Sequence, residues 1–283
     1  VCSSDLTRNM ISFILTLFAP IFGGLLYGIE RKLKARMQSR KGPPLLQPFY
    51  DLFKLADKRP MIIHSYHAMM GVMHFLAAWV ALSVLLFGGD LLVAIFFHLL
   101  STSLLVVAGY SAKSTYSRIG STRELIAISA AEPILILAAV AFYIHTKSFE
   151  VSNILSSEPT IYASVLGFAA LLITMPVLLK KSPFDAAEAH QEIVGGAEIE
   201  FSGIFYEAVY TAKWLDMLFV FCVVFLFGGN NFALGLTLVT FSFFAVLLID
   251  NSTARVRYKD LVKIIYAIAF TLSALNIILG AIL

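Results

Sequence analysis

Residues 91–110 read LLVAIFFHLLSTSLLVVAGY, with no Lys, Arg, Asp or Glu in the run. A helix rising about 1.5 Å per residue takes such a run across the roughly 30 Å hydrocarbon core of a bilayer. On both sides of this run, and including it, apolar stretches between polar breaks fall near 10–29, 68–88, 90–110, 124–145, 160–180, 204–226, 231–250 and 261–282. The pattern predicts about eight transmembrane helices. Gly88-Gly89-Asp90 and Gly228-Gly229-Asn230 leave room only for tight turns between neighbouring spans.

Composition agrees. Of 283 residues, 59% are hydrophobic and 14% charged, where a soluble domain carries about a quarter charged residues. The expected fold class is an all-α integral membrane protein, one domain over residues 10–283. Residues 1–9, VCSSDLTRN, lack a starting methionine and the apolar core of a signal peptide, and are expected to be a non-native or disordered tail. No internal repeat is visible, which argues against the inverted halves of many transporters.

Charge placement predicts orientation. Nine Lys and Arg lie between Arg31 and Arg59; Lys113, Arg118, Arg123, Lys180, Lys181, Arg255, Arg257, Lys259 and Lys263 fall at the same ends of the spans. By the positive-inside rule that side is cytoplasmic and both termini are outside. No chain-long basic face exists for nucleic acid. Within the first loop, Leu45, Leu46, Phe49, Leu52, Phe53 and Ala56 recur at helical spacing opposite Gln47, Asp51 and Lys54, so an amphipathic helix is expected at the membrane interface. The basic run before it would face lipid headgroups or a docked partner, or simply fix orientation.

The segment SPFDAAEAHQEIVGGAEIEFSG, residues 182–203, holds Asp185, Glu188, Glu192, Glu198 and Glu200 and no Lys or Arg. On a helix, Asp185, Glu188 and Glu192 would share a face, raise one another's pKa and be able to share protons. Asp185, after Pro183, could equally cap backbone amides. Within the spans the exceptional residues are Glu132 beside Pro133, and Glu207, Lys213 and Asp216; such groups are functional candidates by default. Glu132 and Lys213 lie at similar depth and could form a buried pair, functional or merely fixing helix register. Pro133 frees a carbonyl, so a water-accessible kink is expected there.

His74 and His98 differ in depth by roughly 9 Å at the helical rise, too far to share one iron, so the histidines read as satisfied or solvated. The two cysteines, Cys2 and Cys222, cannot assemble a metal site or a disulfide framework. No metal site and no cofactor is therefore expected on this chain.

Several stretches together resemble the complex I subunit 1 family, whose members are found in bacterial NADH-quinone oxidoreductase and in energy-converting nickel-iron hydrogenases and formate hydrogenlyases. They are Glu30-Arg31; Arg40-Lys-Gly-Pro-Pro-Leu-Leu-Gln-Pro-Phe-Tyr-Asp-Leu-Phe-Lys-Leu55; Gly120, Arg123 and Glu132-Pro133; Pro183 through Gly203; and Arg255-Val-Arg-Tyr-Lys-Asp260. The resemblance implies a non-catalytic subunit in a prokaryotic cytoplasmic membrane. Peripheral hydrogenase-like or NADH dehydrogenase-like subunits would dock on Arg31, Arg36, Arg40, Arg123, Arg255 and Arg257, with antiporter-like subunits alongside. It places a proton or sodium path on Glu132, Asp185, Glu188, Glu192, Glu198 and Glu200, and puts iron-sulfur clusters and a nickel-iron centre on partners. The chain passes directly from Gly42-Pro43-Pro44 to Leu45, without the Gly-Pro-Asn stretch of quinone-using members. That departure, with Ala189-His190-Gln191-Glu192-Ile193, speaks against quinone and for the hydrogenase branch.

Overall fold

In the computed structural model the described backbone covers residues 2–282 and the described side chains residues 10–282 except His190. The side chains of residues 1–9, the expected tail, lie outside the described residues. Helix α1 spans Cys2–Met37, α2 Gln47–Ala56, α3 Ser65–Leu86, α4 Leu91–Ser111, α5 Thr115–Thr146, α6 Val151–Ser156 and α7 Val165–Leu178. Then come α8 His190–Ile193, α9 Gly203–Leu226, α10 Phe232–Ser252, α11 Tyr258–Ile264 and α12 Thr271–Ile282, the last two joined through the π-helical stretch Ile265–Phe270.

Among the described residues, seven helices are long and apolar enough to cross a membrane. The expected fifth span, 160–180, differs: its helix α7 has only 14 residues, about 21 Å at the helical rise. Its C-terminus is closed by Lys180 N donating to Val177 O and Lys181 N to Pro176 O, with Lys180 at φ 53°. This is the Schellman arrangement, with a lysine in the left-handed position that normally favours glycine. The turn ends the helix just where the acidic segment begins.

Helix α9 is the centre of the bundle: 72% of its apolar window is buried, against 22% for α1, α10 and the last span. Its Trp214 and Phe219 are enclosed on all sides. The outer helices keep Phe13, Phe22, Phe241, Leu248 and Ile278 exposed, the pattern of helices whose solvent is lipid or a partner subunit. Helix α2 forms where expected and packs on α1 and α9, with Phe49 edge-on to Trp214 at 5.5 Å. Gly28 permits this approach, because a Cβ there would collide with Leu45 O.

One end of the bundle carries the basic loops and segment 182–203, tied together by Lys34 to Asp250 at 2.5 Å and Met61 N to Ser202 Oγ at 2.7 Å. The other end is closed by Leu91 N to Phe149 O and Asn230 N to Ser157 O, each 2.9 Å. Asp90 caps α4 there through Leu92 N at 2.8 Å.

Candidate functional site

Segment 182–203 does not form the expected helix. It folds as a 3-10 turn at Asp185–Ala187, the single turn of α8, and a second 3-10 turn at Gly196–Glu198. Val194 and Gly196 adopt positive φ values of 62° and 61°, which break any helix built from L-residues. Asp185, Glu188 and Glu192 therefore share no helical face. Nor does Asp185 cap a helix: Arg255 holds it by two hydrogen bonds, Nε to Oδ1 at 2.7 Å and Nη2 to Oδ2 at 2.6 Å.

The acids split into an outer and an inner set. Outside, Glu192 takes Arg123 Nη1 at 2.7 Å, with Arg255 Nη1 at 4.0 Å. Inside, Glu188 lies 3.0 Å from Lys213 Nζ and 3.3 Å from Lys180 Nζ, and Glu198 lies 2.8 Å from Lys213. Lys180 also reaches Glu124 at 3.1 Å. The cations that the segment lacks come from α5, α9, the turn after α7 and the connection between α10 and α11. The segment seats on α5 because Gly120 has no side chain; a Cβ there would collide with Gly196 Cα.

These contacts divide the two glutamates. Burial alone would raise the Glu188 pKa, but Lys213 and Lys180 outweigh it and hold the carboxyl well below its usual range. Burial, reinforced by the Glu188 charge, pushes Glu198 up to about 7 despite Lys213. One acid is thus held ionised beside another that can carry a proton near neutrality. Burial acts against the Lys180 ammonium, and Glu124 and Glu188 more than restore it, so its pKa rises.

Deeper in the bundle the expected Glu132–Lys213 pair is absent, because Lys213 is taken by the glutamates at its own end. Glu132 Oε1 instead meets His98 Nδ1 at 2.9 Å, and His98 Nε2 faces Asp216 Oδ1 at 3.8 Å. His98 stacks on Phe219, ring centroids 4.6 Å apart. A cavity of about 480 Å³ is lined by Tyr27, Lys180, Lys181, Glu188, Lys213 and Asp216. A second, of about 330 Å³, is lined by His98, Glu124, Glu132, Lys180 and Asp216. Lys180 and Asp216 belong to both walls, so polar groups continue from the segment to Glu132. The carbonyl that Pro133 frees, Ser129 O, accepts from Tyr266 Oη at 3.1 Å.

The structure does not bring every expected residue to this site. Glu200 and Glu207 are half-buried and outside the cluster. Among the six arginines, Arg31 pairs with Asp51 at 3.0 Å, while Arg123 and Arg255 serve the acidic segment. Arg36, Arg40 and Arg257 are exposed. Glu124, which the sequence did not single out, joins the site, as do Lys180 and Lys181, read above only as orienting charges, and His98, read above as satisfied or solvated. His98 carries a signal in the sequence, since an ionisable ring in mid-span has the same claim as Glu132. His74, by contrast, is satisfied by Ser101 Oγ at 2.7 Å.

Comparison with known proteins places this architecture. Over 93% of the chain and 91% of the relative, it is 29% identical to hydrogenase-4 component C of Escherichia coli (strain K12). It is 27% identical to the H subunit of NADH-quinone oxidoreductase from Brevibacillus brevis, over 94% and 90%. A chain of the membrane-bound sulfane sulfur reductase, an archaeal respiratory membrane complex, shares the fold at TM-score 0.87 and 20% identity, covering 98% of this chain and 99% of that one. A family model described as NADH dehydrogenase matches residues 9–281, essentially all the helices and the acidic segment. The chain belongs to the NADH dehydrogenase family and is a membrane subunit of a complex I-like enzyme.

Proposed function

We propose that this subunit anchors a peripheral electron-transfer arm and carries protons from segment 182–203 into the membrane through its buried charges. The observation that supports this most is the run of groups from Glu198, Glu188 and Lys213 through Lys180 and Asp216 to His98 and Glu132, along two cavities that share walls. Holding so many ionised groups inside a membrane protein costs stability that apolar residues would not cost. A static register clamp needs one pair; this site has alternating acids and bases along a depth gradient.

The exposed Arg36, Arg40 and Arg257 are the docking points for the arm, and the basic end faces the cytoplasm, with both termini outside. Redox metal centres would sit on the partners. The hydrogenase branch is preferred on the direct run from Pro44 to Leu45 and on the likeness to hydrogenase-4 component C. The alternative, a quinone-site-forming subunit of NADH-quinone oxidoreductase, is supported by a groove between α1, α2 and α9 lined by Tyr27, Arg31, Asp51, Tyr206 and Tyr210, whose guanidinium and phenol groups offer donors for a quinone head group.

The test uses the intact complex, purified through a tag on this chain and reconstituted into liposomes. Mass spectrometry and metal analysis of co-purifying subunits distinguish the branches, nickel marking the hydrogenase. E188Q and E132Q are expected to abolish proton uptake into the liposomes while electron transfer and subunit composition stay intact. Normal uptake by both variants overturns the path.

A further inference from the structure

We propose that His98 is a switched proton link, closed to Glu132 and open to Asp216 in this structure. The inference rests on the proton-path reading and adds the place where the path is interrupted. The three residues come from three helices, α4, α5 and α9. With Glu132 ionised its carboxylate can only accept, so His98 Nδ1 carries the proton across the 2.9 Å contact. On the other side, Nε2 and Asp216 Oδ1 stand 3.8 Å apart, beyond hydrogen-bond length. Within the described residues both atoms, and Glu132 Oε2, are buried without a hydrogen-bond partner. Buried polar groups left this way call for a reason, and a contact made only part of the time is one.

Closing the gap needs Asp216 to approach by about 1 Å, or one bridging water. The transfer is then balanced. The Asp216 O–H bond breaks as Nε2–H forms, and Nδ1–H breaks as the Glu132 O–H forms. One proton passes from Asp216 to Glu132, no electron moves, and the ring stays neutral with its proton on the other nitrogen. Restoring the first tautomer requires the ring to turn.

The switch has a built-in actuator. Asp216 lies one turn along α9 from Lys213, whose ammonium is held between Glu188 and Glu198. Any change of charge on those two acids pulls differently on Lys213, and hence on the helix that carries Asp216. An interruption at this point keeps protons from running back when the acids are at rest. Phe219, stacked on the ring, sets the resting plane of His98 between its two acids.

The experiment compares H98Q, D216N, E132Q and E188Q in the intact reconstituted complex, reading protons moved per electron. Gln at position 98 can still bond Glu132 but cannot pass a proton between two ring nitrogens. H98Q is expected to lower the ratio at least about tenfold, in line with the loss of a positioned acid-base group. H98A should do the same and regain uptake when imidazole is added. D216N is nearly isosteric, keeps the test open if position 98 tolerates no change, and should lower the ratio equally. Wild-type ratios in H98Q or D216N, with E132Q and E188Q blocked, overturn the switch and leave the path standing. Wild-type ratios in all four overturn both.

Discussion

Lys213 places its ammonium 2.8 Å from Glu198 Oε2, joining the middle of the central helix to the last turn of the acidic segment. Because the same ammonium also holds Glu188 at 3.0 Å, the charge state of either acid is felt by the other. Much of what can be tested about this protein follows from that three-way contact.

Replacing Lys213 by Met leaves two buried carboxylates with Lys180 as their remaining cation. The cost expected for breaking such a buried arrangement is about 3 kcal/mol. Thermal unfolding of the purified complex in detergent should show K213M melting below wild type. E188Q added to K213M should recover part of the loss, because it removes one of the stranded charges.

Glu198 also predicts a pH dependence. Its folded pKa is raised from 4.5 to about 7, so the folded state binds this proton more tightly than the unfolded chain does. The stability this contributes is fully present below 4.5 and is lost as pH rises through about 7. Glu188 is shifted the opposite way, so its contribution is fully present above 4.5 and lost only in more acidic solution. Across the interval between them wild type should lose stability with rising pH and E198Q should be flatter. Equal slopes in a pH series of melting temperatures would contradict the assignment.

Gly120 tests how the acidic segment is seated. An added Cβ would collide with Gly196 Cα and lie 2.7 Å from Ala197 N, and backbone cannot swing aside as a flexible side chain can. G120A is expected to cost about 1–3 kcal/mol by overpacking. Hydrogen-deuterium exchange should localise the damage to residues 186–198 and spare α9.

Asp250 anchors the far side of the same region. Its side chain is 2% exposed, pairs with Lys34 at 2.5 Å, and accepts from Ser182 N at 3.1 Å. Beside it Lys181 pairs with Glu30, so the left-handed turn at Lys180 is held on both flanks. D250A should cost about 1–3 kcal/mol, read by thermal unfolding, because it leaves a part-buried amide and a partly buried ammonium unpaired.

The long helices are legible in the sequence because apolar run length is a local property that needs no partner to be read. Helix α7 reads as a full span because hydropathy does not register that Thr160–Tyr162 forms a separate 3-10 turn and the helix begins only at Val165. Segment 182–203 stands out as the place of chemistry from its five acids, yet its shape does not. Helical spacing of Asp185, Glu188 and Glu192 is a one-dimensional regularity that positive φ at Val194 and Gly196 cancels. His98 escapes notice when its depth is compared with that of His74, because its partners are Glu132 and Asp216.

The membrane class, the number of apolar runs, the end of the bundle that bears the basic loops and the segment in which acids gather are all local properties of the chain. Each follows from composition within a window of about twenty residues. Which cation answers which acid is fixed by the packing of the helices. Those pairings join residues as far apart in sequence as Lys213 and Glu188, separated by 25 positions, or Lys34 and Asp250, separated by 216. A charge buried in a bundle must find its counter-charge across helices, and helix rotation and packing alone fix which one comes within about 3 Å.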